Sequence, residues 1–309
     1  MSQTSEPAQK SAELVDLELG VRKTRSGSTW ARLRRRFLRH KPAVAGIVVV
    51  SILLVLAIFA PISALGVDPS EPNFGEINNA PSAKHVLGTD GIGRDMWARL
   101  VYGARISLSV GFVVVGITIV IAVIVGGISG YFGGAVDTIL QRFTEAVMLF
   151  PSFILIITVT AFLEPSIYNV MIVLGIFGWP GMSRVVRSMF LSLRETDYVL
   201  AARAVGVRWP GIVFRHILPG TLAPIIVSGT LGLVGAIMTE ATLSFLGLGV
   251  QEPTPSWGSM LTHAMQLPVL REMWWRWIPP AVLIFMTVLA VNFIGDGLRD
   301  AADPMAIER

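Results

Sequence analysis

No cysteine occurs anywhere in the 309 residues. That excludes a disulfide framework, thiol nucleophiles and cysteine-based metal sites. Charge is scarce too: Asp, Glu, Lys and Arg make up 15% of the chain, against about 25% in a soluble domain. The phosphate-cradling pattern G-x-x-x-x-G-K-[ST] is missing, so the chain carries no P-loop of its own. H-E-x-x-H and G-x-S-x-G are missing as well. The four histidines, His40, His85, His216 and His263, are scattered over different segments, and no carboxylate pair lies in the middle of an apolar run. The chain is therefore not expected to be an enzyme: nothing in it hydrolyses ATP or activates a nucleophile, and it offers no metal site.

What the chain has instead is apolar length. Hydrophobic residues make up 53% of it, and several uncharged runs reach the ~20 residues that cross a hydrocarbon core of roughly 30 Å. Because backbone polar groups in lipid must be satisfied within the chain, such runs are helices. The expected class is an all-α polytopic membrane protein with six spans. The first covers about Pro42–Leu65 and is too long, and too far from the start, for a signal peptide. The second covers about Ile106–Tyr131, ending at the Gly133-Gly134 turn. The third runs from about Val136 to Leu163 and is kinked by Pro151. The fourth covers about Ser166–Met189, broken near one end by Trp179-Pro180-Gly181. The fifth covers about Thr221–Thr239 and the sixth about Trp277–Ile294. Gly126-x-x-x-Gly130, together with Gly229, Gly232 and Gly235, permits close helix approach. That places the second and fifth spans toward the bundle interior.

Charge sets the orientation. Residues 1–41 hold ten of the 25 Lys and Arg. A basic run directly before an apolar helix retains that side in the cytoplasm, and nucleic acid is not the expected partner. Residues 1–29 read as a polar tail. Trp30–Lys41 interleaves apolar residues with arginines, as an amphipathic helix on anionic membrane lipids does. Arg184, Arg187, Arg194, Arg203, Arg208 and Arg215 follow the fourth span and fall on the same side. Both termini are thus expected in the cytoplasm, with the protein in the cell membrane. Trp274, Trp275 and Trp277 are expected as an outer aromatic belt. The working division is a tail at 1–41, a first span at 42–65, an extracytoplasmic loop at 66–105 and a five-helix core at 106–309.

The most informative segment is Tyr198–Pro219, YVLAARAVGVRWPGIVFRHILP. Its arginines would each cost roughly 2.5–3.5 kcal/mol at bilayer depth, so it belongs in water between two spans. Tyr198–Val205 is a good helix former. Gly206 suits a left-handed helix terminus, and Pro210 suits the first turn of a second helix. Pro219 marks the start of the next span. The expectation is a rigid helix–turn–helix knob over 195–219, with small Ala201 and Ala202 admitting a close partner.

This spacing of Ala201-Ala202, Gly206 and Leu218-Pro219, with Arg215-His216 before the last pair, resembles the EAA loop of ABC importer permeases. It has the form that loop takes in dipeptide and oligopeptide importers. Leu200 stands where the motif's glutamate is usual, and Gly220 where an asparagine often follows. Three further blocks are similar to the same family: HVLGTDGIGRD at His85–Asp95, LSFLGLGVQEPTPSW at Leu243–Trp257, and GDGLRDAADP at Gly295–Pro304. The resemblance implies the type I ABC importer permease fold and the C-type subunit of a peptide importer. It also implies a paired homologous permease in a heterodimer, two cytoplasmic ATPase subunits that use ATP and Mg, and an extracytoplasmic substrate-binding protein. No cofactor is implied for the chain itself. Ala201, Ala202, Gly206, His216, Leu218 and Pro219 would couple to the ATPase. A nickel or other small-solute importer of the same family is the alternative. An ion-coupled secondary carrier is a weaker rival, because it calls for ionisable residues deep in several spans and an internal repeat, and the sequence has neither.

Two further sets are candidates. Glu240, near the outer end of the fifth span, is a candidate for the translocation path or its gate, together with Ser244 in the segment expected to cap that path. Gly88, Asp90, Arg94 and Asp95 form a glycine-rich turn near the outer face. They are candidates either for docking a binding protein or for tying the loop to the bundle.

Overall fold

A computed structural model describes residues 34–163 and 166–302. The polar tail, Trp30 and the Pro304 end of the last motif block lie outside the described residues. Among those residues the fold is helical, with one isolated bridge between Thr89 and Asp95. Helix α1 is Lys41–Ile58, started by Pro42 in its first turn and by His40, whose Nδ1 accepts from the Ala43 amide at 3.2 Å. A short α2, Ala60–Ser63, follows it. The outer loop leads to α3, Met96–Phe132. After Gly133 come α4, Gly134–Met148, and α5, Ser152–Phe162. Helix α6 is Ile167–Leu193. The knob holds α7, Asp197–Ala204, and α8, Trp209–Ile212, which passes through a π-helical turn, Val213–Ile217, into α9, Leu218–Phe245. Helices α10, Trp257–Thr262, and α11, Leu267–Glu272, precede the last helix, α12, Trp274–Ala302.

Five of these helices are long and apolar enough to cross a membrane; α4 and α5, bent by 75° at their break, count as a sixth when taken as one span. Pro151 sits at that break, as its lost amide requires. Helix α3 packs chiefly on α6, and also on α9, while α12 packs on α1 and α9. The second and fifth spans are therefore central. The α3–α6 contact is made by the glycines: a Cβ on Gly126 would lie 2.3 Å from the Ser183 carbonyl oxygen, and one on Gly130 would lie 2.6 Å from the Phe190 Cβ.

Three expectations need correction. The helix of the second span begins before Ile106, in residues expected as loop: α3 starts at Met96, capped by Asp95, whose carboxylate accepts from the Ala98 amide at 2.8 Å. Its 37 residues give a rod about 55 Å long, well over the ~30 Å of hydrocarbon, so it carries Arg99 beyond the membrane. The fourth span is not broken by Pro180, which lies inside α6. The carbonyl freed by the missing amide is that of Ile176, and one lost bond is tolerated inside a packed helix; one residue away, Thr118 Oγ1 donates to the Gly175 carbonyl at 3.4 Å. The tryptophans do not form a uniform belt. Trp274 is half-exposed, but Trp275 is buried and donates its indole N–H to the Thr89 carbonyl at 3.2 Å.

Candidate functional site

The knob at 195–219 is built as its residue types dictate. Helix α7 ends with Gly206 at φ +82°, a left-handed conformation that disfavours a side chain. The Gly206 amide bonds the Arg203 carbonyl at 3.0 Å and the Val207 amide bonds Ala202 at 3.1 Å, a doubly satisfied glycine terminus. Pro210 lies in the first turn of α8. Beneath, Val199, Ile212 and Ile217 pack with Val186, Phe190 and Ile225, so the knob sits on the ends of α6 and α9. His216 faces inward: its Nδ1 lies 3.2 Å from the Gly211 carbonyl, while Tyr198 Oη donates to the His216 carbonyl at 3.5 Å. Leu218 and Pro219 open α9. The two alanines part company, Ala202 being buried in the base and Ala201 exposed. The knob displays apolar Leu200, Val205, Trp209 and Phe214, with Val205 81% exposed; of these, sequence reasoning singled out only Leu200, as a departure from the motif.

On the opposite end, Glu240 is fully buried. Ser244 Oγ donates to its Oε1 at 2.8 Å and Ser107 Oγ to its Oε2 at 3.3 Å. Each of these hydroxyls also accepts a backbone amide: Val250 on Ser244 and Trp257 on Ser107. The single O–H of each serine is thereby left to point at the carboxylate. Glu240 and Ser244 thus fasten the 246–259 segment to α3 and α9.

The outer loop is a second network. Gly88 adopts φ +66°, and a Cβ there would lie 2.3 Å from the Asn79 carbonyl oxygen. Asp90 accepts from the Ile92 and Arg94 amides and from Arg94 Nε, the last at 2.7 Å. Arg94 also donates to Glu252. Arg99 donates to both Glu252 oxygens at 2.9 and 3.2 Å and to the Pro69 carbonyl at 3.1 Å. Asp95 caps α3 and lies 2.8 Å from His85 Nδ1, whose other ring nitrogen is 3.0 Å from Glu76. Burial alone would lower the His85 pKa, but hydrogen bonds from Asp95 and Glu76 outweigh it and raise the value. A ring with a carboxylate on each nitrogen has to donate twice, which only the imidazolium does. Asp90, Arg94 and Asp95 are all buried; they brace the loop from within, and Gly88 shapes its turn.

With this geometry in view, the comparisons with known proteins become specific. The profile of the binding-protein-dependent transport system inner membrane component family matches residues 118–307. The chain belongs to this permease family. A second profile, the N-terminal TM domain of oligopeptide transport permease C, matches residues 28–81. The dipeptide transport system permease protein DppC of Alkalihalophilus pseudofirmus is 41% identical over 277 residues, covering 90% of each chain. The oligopeptide transport system permease protein OppC of Bacillus subtilis is 38% identical over 280 residues, covering 91% of each. Among solved structures, a chain of the MetNI methionine ABC transporter, in inward-facing conformations, aligns with a TM-score of 0.53 and 20% identity. It covers 65% of this chain and 95% of that one, a likeness of fold.

The permease is thus a multi-pass inner-membrane transport component. Its family core begins in mid-α3 and contains the whole knob; α1 belongs to the N-terminal unit. Three residues that organise its outer end escaped the sequence reading. Arg99 looked like a loop residue, Glu252 was read only within a motif block, and Arg276 lay unremarked among tryptophans. Arg276 is buried and donates to Asn78 Oδ1 at 3.0 Å. Arg99 and Arg276 each stand in the first turn of a long, otherwise apolar helix, where a charge that becomes buried needs a partner; that signal was available.

Proposed function

We propose that this permease is the C-type subunit of an ATP-driven importer of dipeptides or oligopeptides, and that it forms the translocation path with a homologous permease. Two cytoplasmic ATPase subunits would use ATP and Mg, and an extracytoplasmic binding protein would deliver the peptide. Both termini and the knob would then face the cytoplasm, as the basic residues around them favour. The relatives' peptide substrates support the solute class.

The observation that carries the reading is the knob. It offers Leu200, Val205, Trp209 and Phe214 to a partner while Val199, Ile212 and Ile217 seat it on α6 and α9. A push on the exposed face is delivered to two central helices, because packed interiors transmit displacement rather than absorb it. Ala201, Ala202, Gly206, His216, Leu218 and Pro219 act here by holding the knob's shape. Glu240 and Ser244 hold the cap of the path at the other end. The loop braced by Gly88, Asp90, Arg94 and Asp95 is the surface on which the binding protein would dock.

The test is Gly206→Val in the reconstituted importer. Valine at this backbone conformation is strained, so ATPase association and ATP-driven peptide uptake should both fall while the permease stays in the membrane. Normal association together with normal uptake would overturn the coupling role. Uptake of nickel but not of peptide by the unaltered assembly would overturn the solute class.

A further inference from the structure

Beside the knob lies an apolar crevice that shares Trp209 and Phe214 with the knob's displayed face and extends from them along α3. Its volume is about 230 Å³, and its lining includes Ile124, Ile128 and Phe132 of α3 together with Trp209, Val213 and Phe214. These are not core side chains: Ile124, Phe132, Trp209 and Phe214 are each more than half exposed. The Phe132 and Trp209 rings meet with centroids 5.8 Å apart, which sets the end of α3 level with the start of α8. From Phe132 the crevice runs back to Val123, a rise of about 13 Å along the helix. One leaflet's share of a ~30 Å hydrocarbon core is roughly 15 Å.

Two arginines flank the crevice's knob residues in sequence. Arg208 directly precedes Trp209 and Arg215 directly follows Phe214; both are exposed, and neither forms an ion pair among the described residues. This contrasts with Arg187 and Arg194 nearby, each paired to a carboxylate. An indole at the membrane interface beside unpaired guanidinium groups is the arrangement that meets a lipid headgroup.

We propose that this crevice is a binding site for an anionic phospholipid of the inner leaflet. Its acyl chain lies along Ile124 and Ile128, and its phosphate is held by Arg208 and Arg215. The depth assignment rests on the knob facing the cytoplasm; the lipid chemistry rests on the crevice and the arginines. A lipid there contacts Trp209 and Phe214 directly, so membrane composition bears on the same element that receives the ATPase.

The experiment is native mass spectrometry of the assembled importer titrated with phosphatidylglycerol or phosphatidylcholine. With about 1 kcal/mol per basic group near an anionic surface, the wild type should retain phosphatidylglycerol on the order of tenfold more strongly. In Arg208→Gln/Arg215→Gln that preference should shrink toward parity. In Ile128→Trp, which fills the crevice and keeps both arginines, retention of either lipid should fall. Equal retention of both lipids by the wild type, or an undiminished preference in the double variant, overturns the proposal. So does loss of ATPase subunits from the double variant with lipid retention unchanged, since the arginines would then face the ATPase. That last outcome leaves the coupling role of the knob standing, and a normal Gly206→Val importer leaves the lipid site standing.

Discussion

Arg187 grips Asp137 with both edges of its guanidinium, Nε 2.5 Å from Oδ1 and Nη2 2.6 Å from Oδ2. The pair joins α6 to the first turn of α4, and Ser129 of α3 donates to the same carboxylate. Three helices are thus tied together just past the Gly133-Gly134 reversal. Asp137→Ala should lower the stability of the purified assembly by about 1–3 kcal/mol, the range for hydrogen bonds to charged groups. Arg187→Lys should recover little, because an ammonium cannot reproduce the two-point fork. Thermal unfolding in detergent reads both, and a wild-type midpoint for Arg187→Lys would show that the fork is dispensable.

Glu240→Ala should do more than empty a side-chain site. It leaves the Ser107 and Ser244 hydroxyls without their shared acceptor, and each buried orphan costs about 1–3 kcal/mol. The 246–256 segment should loosen before the bundle does. Limited proteolysis from the outer side is the measurement, with faster cleavage in that segment expected at temperatures where the knob remains intact.

The outer loop should be best held in mildly acidic solution. The His85 value is raised in the folded loop, so its stabilisation is complete below the ordinary 6.5 and drains away as pH rises through the raised value. Glu76 works the other way. Hydrogen bonds from Lys84, and then from His85, lower its value from 4.5, so its share is present above that pH and is lost as pH falls through the lowered value. Resistance of the 76–95 segment to protease should therefore be greatest between about 4.5 and 6.5. His85→Gln should flatten the alkaline limb and leave the acid limb; an unchanged alkaline limb would assign it elsewhere.

Gly126→Ala should destabilise by about 1–3 kcal/mol, because the new methyl would stand 2.3 Å from the Ser183 backbone oxygen. Gly116→Ala is the contrasting case. Nothing in the chain lies within 4 Å of a Cβ there, so helix propensity alone acts, favourably by up to about 1 kcal/mol. Matched unfolding midpoints for the two variants would contradict the close α3–α6 approach.

The spans and the knob were legible because their signals are local. Apolar length marks a crossing, and Gly206 and Pro210 mark a turn whatever surrounds them. What escaped depends on partners distant in the chain. Arg99 made the first turns of α3 look like loop because its neutraliser, Glu252, lies 153 residues away. Pro180 looked like a break because the neighbour that supports α6, Thr118, is on another helix. Trp275 looked like a membrane belt residue because its acceptor, the Thr89 carbonyl, is 186 residues distant. The docking candidates Asp90, Arg94 and Asp95 were correctly placed in one turn, but their inward orientation follows from pairing that no local pattern encodes.

The first and last helices of the bundle are fastened to each other. A Cβ on Gly46 would meet the Ala290 carbonyl at 2.4 Å, one on Gly297 would meet the Ala43 Cβ at 2.4 Å, and Phe37 packs with Ala43 and Ala301. The described chain therefore closes on itself, and its two ends occupy one address. A bulky substituent near Phe37 would crowd Ala301, and one near Ala301 would crowd Phe37. The same closure makes the order of helices around the bundle cyclic. New ends could be opened elsewhere, between the exposed Glu71 and Pro72 for example, with residues 34 and 302 joined by a linker, and the interhelical contacts described above would be preserved.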